Sequence, residues 1–187
     1  LRRDKLLRPL VRRWPGQRLP GAWDAYELAV RAVLGQQISV AAAHTLASRI
    51  VERFGIPHES SAVAGLGALF PTPDLLADAP LESTGLTRAR AATIRGLSRA
   101  CADGSLDLSS FQSLEEFVKR LSELPGIGAW TAQYIAMRAQ SRPDAFPAGD
   151  LVLRKLAGDG VAITERAMES IAEAWRPWRA YAVMLLW

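Results

Sequence analysis

The sequence predicts an all-α protein, and three observations carry that prediction. Apolar residues recur at helical spacing, capping signals recur ahead of them, and alternating β-branched runs bounded by turns are missing. A length of 187 residues suits one domain or two small subdomains sharing a core. The pattern reads as two packed helical lobes with clefts between them. The lobes are shared between about residues 24–112 and 113–187, with an N-terminal arm. Roughly nine or ten short helices are expected.

Asp24 is a plausible N-cap for a helix over 24–38, with Tyr26, Ala29, Val30, Val33 and Leu34 along one face. A second helix runs from Ser39 to Phe54 and stops at Gly55. Gly55–Pro71, rich in Gly, Ser and Ala, reads as a connection with one short helical turn at most. Thr72-Pro73-Asp74 supplies an N-cap, a proline at the first helical position and an acid in the first turn. Thr87 opens a helix that carries Arg88, Arg90, Arg95 and Arg99 and ends near Gly104. Ser113-x-x-Glu116 is a capping box before Phe117, Val118 and Leu121. Further helices follow Gly128 and Asp150, Thr164 caps one ending near Trp175, and Pro177 starts the last. No internal repeat or low-complexity tract is evident.

Composition narrows the chemistry. No run of 18 apolar residues exists, so no membrane-spanning helix is expected. The single cysteine, Cys101, excludes an intrachain disulfide, a Cys-ligated iron–sulfur cluster and a Cys₂His₂ zinc site. With only His44 and His58, a histidine metal centre is not expected either. The net charge is +4 and the pI about 9.7, which suggests a polyanionic partner such as nucleic acid. The excess is local, however. Residues 1–18 hold seven basic side chains against Asp4, and the rest of the chain has 16 positive against 18 negative. A solvated arm or the exposed face of a first helix accounts for that start equally well. The chain has no starting Met, and Trp187 ends an apolar run, so it reads as a piece of a longer protein.

Most of the chain is therefore not basic, and any grip on nucleic acid must be geometric. Leu124-Pro125-Gly126-Ile127-Gly128 joins two helices. Its two glycines let the backbone turn tightly and come close to a partner, while the second helix presents free N–H groups and its positive dipole end. That combination binds phosphate without a charged side chain. Gly126, Gly128 and Ala129 would make the contact, and the Thr131 hydroxyl in the first turn could also reach a phosphate. Taken alone, the segment is equally a helix C-cap glycine and a short connection. Asp150, about two dozen residues on and after a Pro-Ala-Gly turn, changes that balance.

Together, Leu124-Pro-Gly-Ile-Gly-Ala-Trp-Thr-Ala132 and Phe146-Pro-Ala-Gly-Asp150 resemble the helix-hairpin-helix DNA glycosylase superfamily (HhH-GPD type). Four more motifs resemble its 3-methyladenine DNA glycosylase II branch: Arg18-Leu-Pro-Gly21, Val33-Leu-Gly-Gln-Gln-Ile-Ser-Val40, Phe70-Pro-Thr-Pro73 and Trp175-Arg-Pro-Trp-Arg-Ala-Tyr-Ala182. The resemblance covers nearly the whole chain. It implies a DNA glycosylase of base excision repair that removes alkylated bases of the 3-methyladenine and 7-methylguanine class from double-stranded DNA. Such an enzyme extrudes the damaged nucleotide and breaks its N–C1′ bond through an oxocarbenium-like sugar.

By resemblance Asp150 is the catalytic carboxylate, stabilising that sugar or activating water. Its other reading, the N-cap of the following helix, is compatible, because the helix N-terminus favours an anion. Asp144 is the runner-up, read as a surface residue. No second carboxylate is obviously placed as a general acid, which suits N3- or N7-alkylated purines, whose leaving group is already positively charged. Trp130, Tyr134 and Trp187 match the family's pocket aromatics, which would stack on a cationic base at roughly 0.5–2 kcal/mol per contact. The other reading of each is an ordinary core aromatic, strongest for Trp187, and Trp175 and Trp178 are read as core packing beside Pro177. Strand-nicking relatives have lysine where this chain has Trp130, so the resemblance implies a monofunctional enzyme without lyase activity.

The turn at Gly35–Ser39 carries Gln36 and Gln37 to the DNA, with Gln37 where the family places its intercalating side chain. The resemblance also implies that the carbonyls of Ser122, Leu124 and Ile127 bind a monovalent cation, Na⁺ or K⁺, bridging to phosphate. No other cofactor is expected, and the chain is expected to act as a monomer in the bacterial cytoplasm near the nucleoid. Members of that branch carry an N-terminal mixed α/β domain, which residues 1–187 are expected to lack or to retain only as a remnant. Two alternatives stand beside this reading: a glycosylase of different base specificity, and a non-catalytic helix-hairpin-helix DNA-binding module, which would need Gly126 and Gly128 but not Asp150.

Overall fold

The computed structural model describes residues 1–58, 67–109 and 112–187. Ten α-helices follow in order among them: α1 (Arg8–Arg13), α2 (Ala25–Leu34), α3 (Val40–Phe54), α4 (Pro73–Ala77), α5 (Arg88–Ala102), α6 (Leu114–Ser122), α7 (Ala129–Ala139), α8 (Leu151–Ala157), α9 (Glu165–Ala172) and α10 (Arg179–Leu186). Among the described residues the regular structure is helical but for one two-residue antiparallel ladder, with Ile56 opposite Leu69 and Pro57 opposite Ala68. That ladder falls in the segment expected to be a plain connection. At two residues a strand, it is too short to produce an alternating pattern. The helical turn anticipated there lies, for 59–66, outside the described residues.

The caps explain where the helices start. Asp24 accepts a hydrogen bond from Glu27 N at 2.6 Å, Ser39 from Ala42 N, Thr87 from Arg90 N, Ser113 from Glu116 N and Thr164 from Ala167 N. Each satisfies an N–H that the helix itself cannot pair. Thr72 departs from this pattern, since its side chain makes no capping bond and Pro73 at the first position starts α4. The last helix also departs from expectation. It begins at Arg179 rather than Pro177, because its start is held from outside. Ala180 N donates to Pro143 O at 2.9 Å, and Arg179 is clamped by Asp144.

The chain divides into two units, one of residues 1–23, 112–119 and 128–187, the other of 24–111 and 120–127. In the second unit α5 packs on α4 and α2, burying Ala91, Ile94 and Leu97 with Ala29, Val30 and Val33. The Tyr26 hydroxyl and Ser98 Oγ share a buried 2.7 Å hydrogen bond there. The outer face of α5 is pinned by ion pairs, from Arg95 to Glu82 through two bonds of 3.0 and 2.9 Å and from Arg99 to Asp78 at 2.7 Å. The Arg95 bonds hold the Glu82 carboxyl at about 2.

Cys101 lies in this unit near Asp103, Asp107 and Asp24, and burial together with those carboxylates pushes its thiol up to about 12. Burial disfavours the thiolate, so the folded state keeps a proton that the unfolded chain loses near its ordinary value. Stability should therefore fall as pH rises from about 9 towards about 12. Alkylation of Cys101 at pH 8 should be much slower in the native chain than in the chain unfolded by guanidinium, as mass spectrometry after iodoacetamide would record.

In the first unit the basic start is docked. Leu7 is fully buried, and Asp4 accepts from Leu6 N, Leu7 N and Trp175 Nε1, each at 2.9 Å. Burial acts to raise the Asp4 carboxyl, but these bonds outweigh it and leave the group below its ordinary value. Trp175 is buried edge-on against Phe146, as expected for a core aromatic. Trp178 is not core, being 50% exposed. No helix among the described residues is long and apolar enough to cross a membrane.

Candidate active site and nucleic-acid interface

Asp150 caps α8. Its Oδ1 accepts from Val152 N and Leu153 N, both at 3.0 Å, and from Trp187 Nε1 at 3.3 Å. Its Oδ2 accepts from Trp130 Nε1 at 3.2 Å. Two backbone amides and two indoles thus fix the carboxylate's orientation, a role for the tryptophans beyond stacking. Trp130 and Tyr134, four apart on α7, stack with ring centroids 5.4 Å apart and 9° between planes. Trp187 closes on Tyr134 at 6.3 Å and 44°. None of the three is buried. They form an accessible aromatic wall beside a carboxylate. A further ring between Trp130 and Tyr134 would need about 7 Å, two van der Waals spacings, so a base would lie against an outer face.

Two anchors set the loop before Asp150, and sequence reasoning missed both. Gln133 of α7 accepts from Phe146 N at 2.9 Å through its Oε1, tying that loop to the helix that bears Trp130. Asp144 is not the solvated surface residue expected. Arg179 binds both its carboxylate oxygens, at 2.8 and 2.9 Å, and its carbonyl at 2.8 Å, and Arg176 binds it as well. Asp144 is therefore spent on structure. Glu165, at the first position of α9, stands against Gly149, its carboxylate oxygens 3.5 Å from where a Cβ on that glycine would sit. Only chain folding brings these residues near Asp150, and no local motif announces them. Among the lysines, Lys119 and Lys155 are exposed.

A cavity of about 450 Å³ in the same unit is lined by Arg2, Trp14, Arg18, Trp178 and Tyr181 among others. It contains no carboxylate and none of the residues around Asp150, so the chemistry does not belong to it.

The hairpin turn closes with Ile127 N donating to Leu124 O at 3.0 Å. Pro125 takes the second position and Gly126 the third, at φ +88°, the type II arrangement. A Cβ on Gly126 would lie 2.0 Å from Thr93 Oγ1. Glycine is required here by both backbone and packing. Gly128 differs, since its φ is −87° and a Cβ would meet nothing within 4 Å. Nothing among the described residues demands glycine at 128. Gly128 is the N-cap of α7 without a side-chain bond, and Gly128 and Ala129 are exposed. Thr131 is only 3% exposed, so its hydroxyl does not present itself to a phosphate as anticipated.

The turn at Gly35–Ser39 holds Gln37 at φ +57°, exposed. The left-handed region costs a non-glycine residue roughly 1–2 kcal/mol. Gln36, grouped with the DNA contacts by sequence, donates its Nε2 to Gly126 O at 3.0 Å.

A helical protein thus carries a glycine hairpin and an aspartate held by the indoles of two tryptophans that are not buried, and comparison with known proteins assigns its class. Residues 30–180 match the family model described as HhH-GPD superfamily base excision DNA repair protein, and the chain belongs to that superfamily. It is 43% identical over 186 residues, 98% of its length, to a Mycobacterium tuberculosis protein named "Probable bifunctional transcriptional activator/DNA repair enzyme AlkA", of which it spans 37%. It is 37% identical over 177 residues to the Escherichia coli DNA-3-methyladenine glycosylase 2, matching over 92% of its own length and 60% of that protein's. The chain thus spans well under two thirds of either relative. A solved 3-methyladenine DNA-glycosylase from Archaeoglobus fulgidus superposes with a TM-score of 0.79 at 26% identity, over 99% of this chain and 65% of that one.

Proposed function

We propose that the protein is a monofunctional DNA glycosylase that hydrolyses the N-glycosidic bond of alkylated bases in double-stranded DNA. The observation that carries this is the Asp150 carboxylate, fixed by two indoles and two backbone amides beside an accessible aromatic wall. The names of the relatives support the base class.

The chemistry follows from the charges. An alkylated purine with a formal positive charge stacks on Trp130, Tyr134 or Trp187. When its N–C1′ bond breaks, the electron pair goes to the base, which leaves neutral and needs no general acid. The sugar is left as an oxocarbenium-like cation, which the fixed Asp150 carboxylate stabilises without reorganisation. Water then bonds to C1′ and gives up its proton to Asp150 or to solvent, leaving an abasic site. A Schiff-base route would need a lysine at the site, and position 130 holds tryptophan.

The damaged nucleotide reaches the wall by extrusion, at a cost of a few kcal/mol. Gln37, exposed on a strained turn, fills the gap it leaves. The first-turn amides of α7 at Gly128 and Ala129 hold backbone phosphate. The carbonyls of Ser122, Leu124 and Ile127 suit a monovalent cation there. Leu124 O already accepts one bond and keeps a second lone pair for it. The protein works as a monomer.

Incubating the protein with methylated duplex DNA should release free 3-methyladenine and 7-methylguanine, measured by chromatography. No strand break should appear before alkali treatment. Breaks without alkali, or trapping of a covalent complex by borohydride, would contradict the monofunctional reading.

A further inference from the structure

We propose that Gln36 is a positioning residue: with Arg90 it locks the Gln37 turn to the hairpin turn, so that the two move as one rigid piece. The inference rests on the DNA-glycosylase reading for its consequence, but not for its geometry.

The geometry lies wholly within one unit. Arg90 Nη2 donates to Gln36 O at 2.5 Å, a charge-assisted bond from α5 to the backbone of the Gly35–Ser39 turn. Gln36 Nε2 then donates to Gly126 O at 3.0 Å, the residue at positive φ in the hairpin turn. Thr93 lies three residues beyond Arg90 on α5, so the two share a helix face. Thr93 fills the space that the missing side chain of Gly126 leaves. One face of α5 therefore supports both turns, Arg90 under the first and Thr93 under the second, and Gln36 joins them directly. The turn so held contains Gln37, whose left-handed backbone relaxes unless its surroundings hold it.

An independent wedge and hairpin would each meet DNA by separate adjustment. Locked together, they present a gap-filling side chain and the Leu124–Ile127 turn at fixed spacing. Preorganisation of this kind lowers the entropic cost of assembling the bound state.

The test measures hydrogen exchange of the free protein by mass spectrometry, on peptides covering 33–40 and 121–127. Q36E keeps the size of the side chain but removes its amide donor, and its carboxylate cannot donate to Gly126 O. In Q36E both segments should exchange about tenfold faster, as loss of a connecting bond entails, while the melting temperature and exchange in α8 and α10 stay as in the wild type. R90A should reproduce the joint effect and R90K should partly restore protection. Acceleration of one segment alone, or of neither, overturns the proposal. The second arm is excision from methylated duplex DNA, in which Q36E and the double variant Q36E/Q37A should be equally impaired, because a misplaced wedge adds nothing. Additive losses in the double variant would show that Gln36 acts on DNA directly and would overturn the proposal. Joint acceleration of exchange in a protein whose wild type releases no base would refute the glycosylase reading and leave the lock standing.

Discussion

Replacing Asp150 by asparagine should slow base release by roughly 10²–10³-fold while leaving the fold and the affinity for duplex DNA intact. Asparagine caps helices about as well as aspartate, so its Oδ1 can still accept from Val152 N and Leu153 N. The loss falls on the charge. An amide cannot stabilise a cationic sugar as a carboxylate does, and removal of one preorganised electrostatic group costs roughly 10²–10³-fold in rate. The amide also places an NH₂ where Trp130 Nε1 now donates to Oδ2, setting two donors against each other. D150A is the poorer probe, since it also forfeits the cap at about 0.5–2 kcal/mol. Base release by D150N at the wild-type rate would remove Asp150 from the mechanism.

The two hairpin glycines should fail in different ways. G126A forces a side chain into the left-handed region and onto Thr93 Oγ1, so it should lower stability by about 1–3 kcal/mol in urea denaturation. G128A meets nothing in the chain and should leave stability within about 0.5 kcal/mol of wild type. Its methyl group would instead stand where a phosphate approaches the amides of α7. DNA affinity should drop about tenfold, close to 1.4 kcal/mol, whether or not the duplex carries a lesion. Unchanged affinity in G128A would reduce the hairpin to a connection.

These contrasts show what the sequence makes legible. Caps and stripes are local, so the starts of α2, α3, α5, α6 and α9 could be read from Asp24, Ser39, Thr87, Ser113 and Thr164. The Trp130–Tyr134 pair was equally readable, since four residues on a helix bring side chains together. What escaped depends on residues distant in the chain. Asp144 reads as a surface acid until Arg179, 35 residues on, folds onto it. Pro177 resembles a helix start until contacts with Pro143 and Asp144 place that start at Arg179. Gln36 beside Gln37 looks like a second DNA contact, and only the approach of Gly126, 90 residues away, gives it another task. Trp130 could be assigned a stacking role from sequence, whereas its bond to Asp150 needed the fold.

The central claim is that a fixed Asp150 carboxylate beside an aromatic wall removes alkylated bases. Single-turnover release of free methylated purine from one alkylated duplex, by wild type and D150N side by side at saturating protein, tests it most directly. The account predicts release by the wild type and release slowed by roughly 10²–10³-fold in D150N, with both proteins fully bound to the duplex. A wild type that binds the duplex yet releases no base would contradict it and leave a helix-hairpin-helix module that holds DNA without cutting the glycosidic bond.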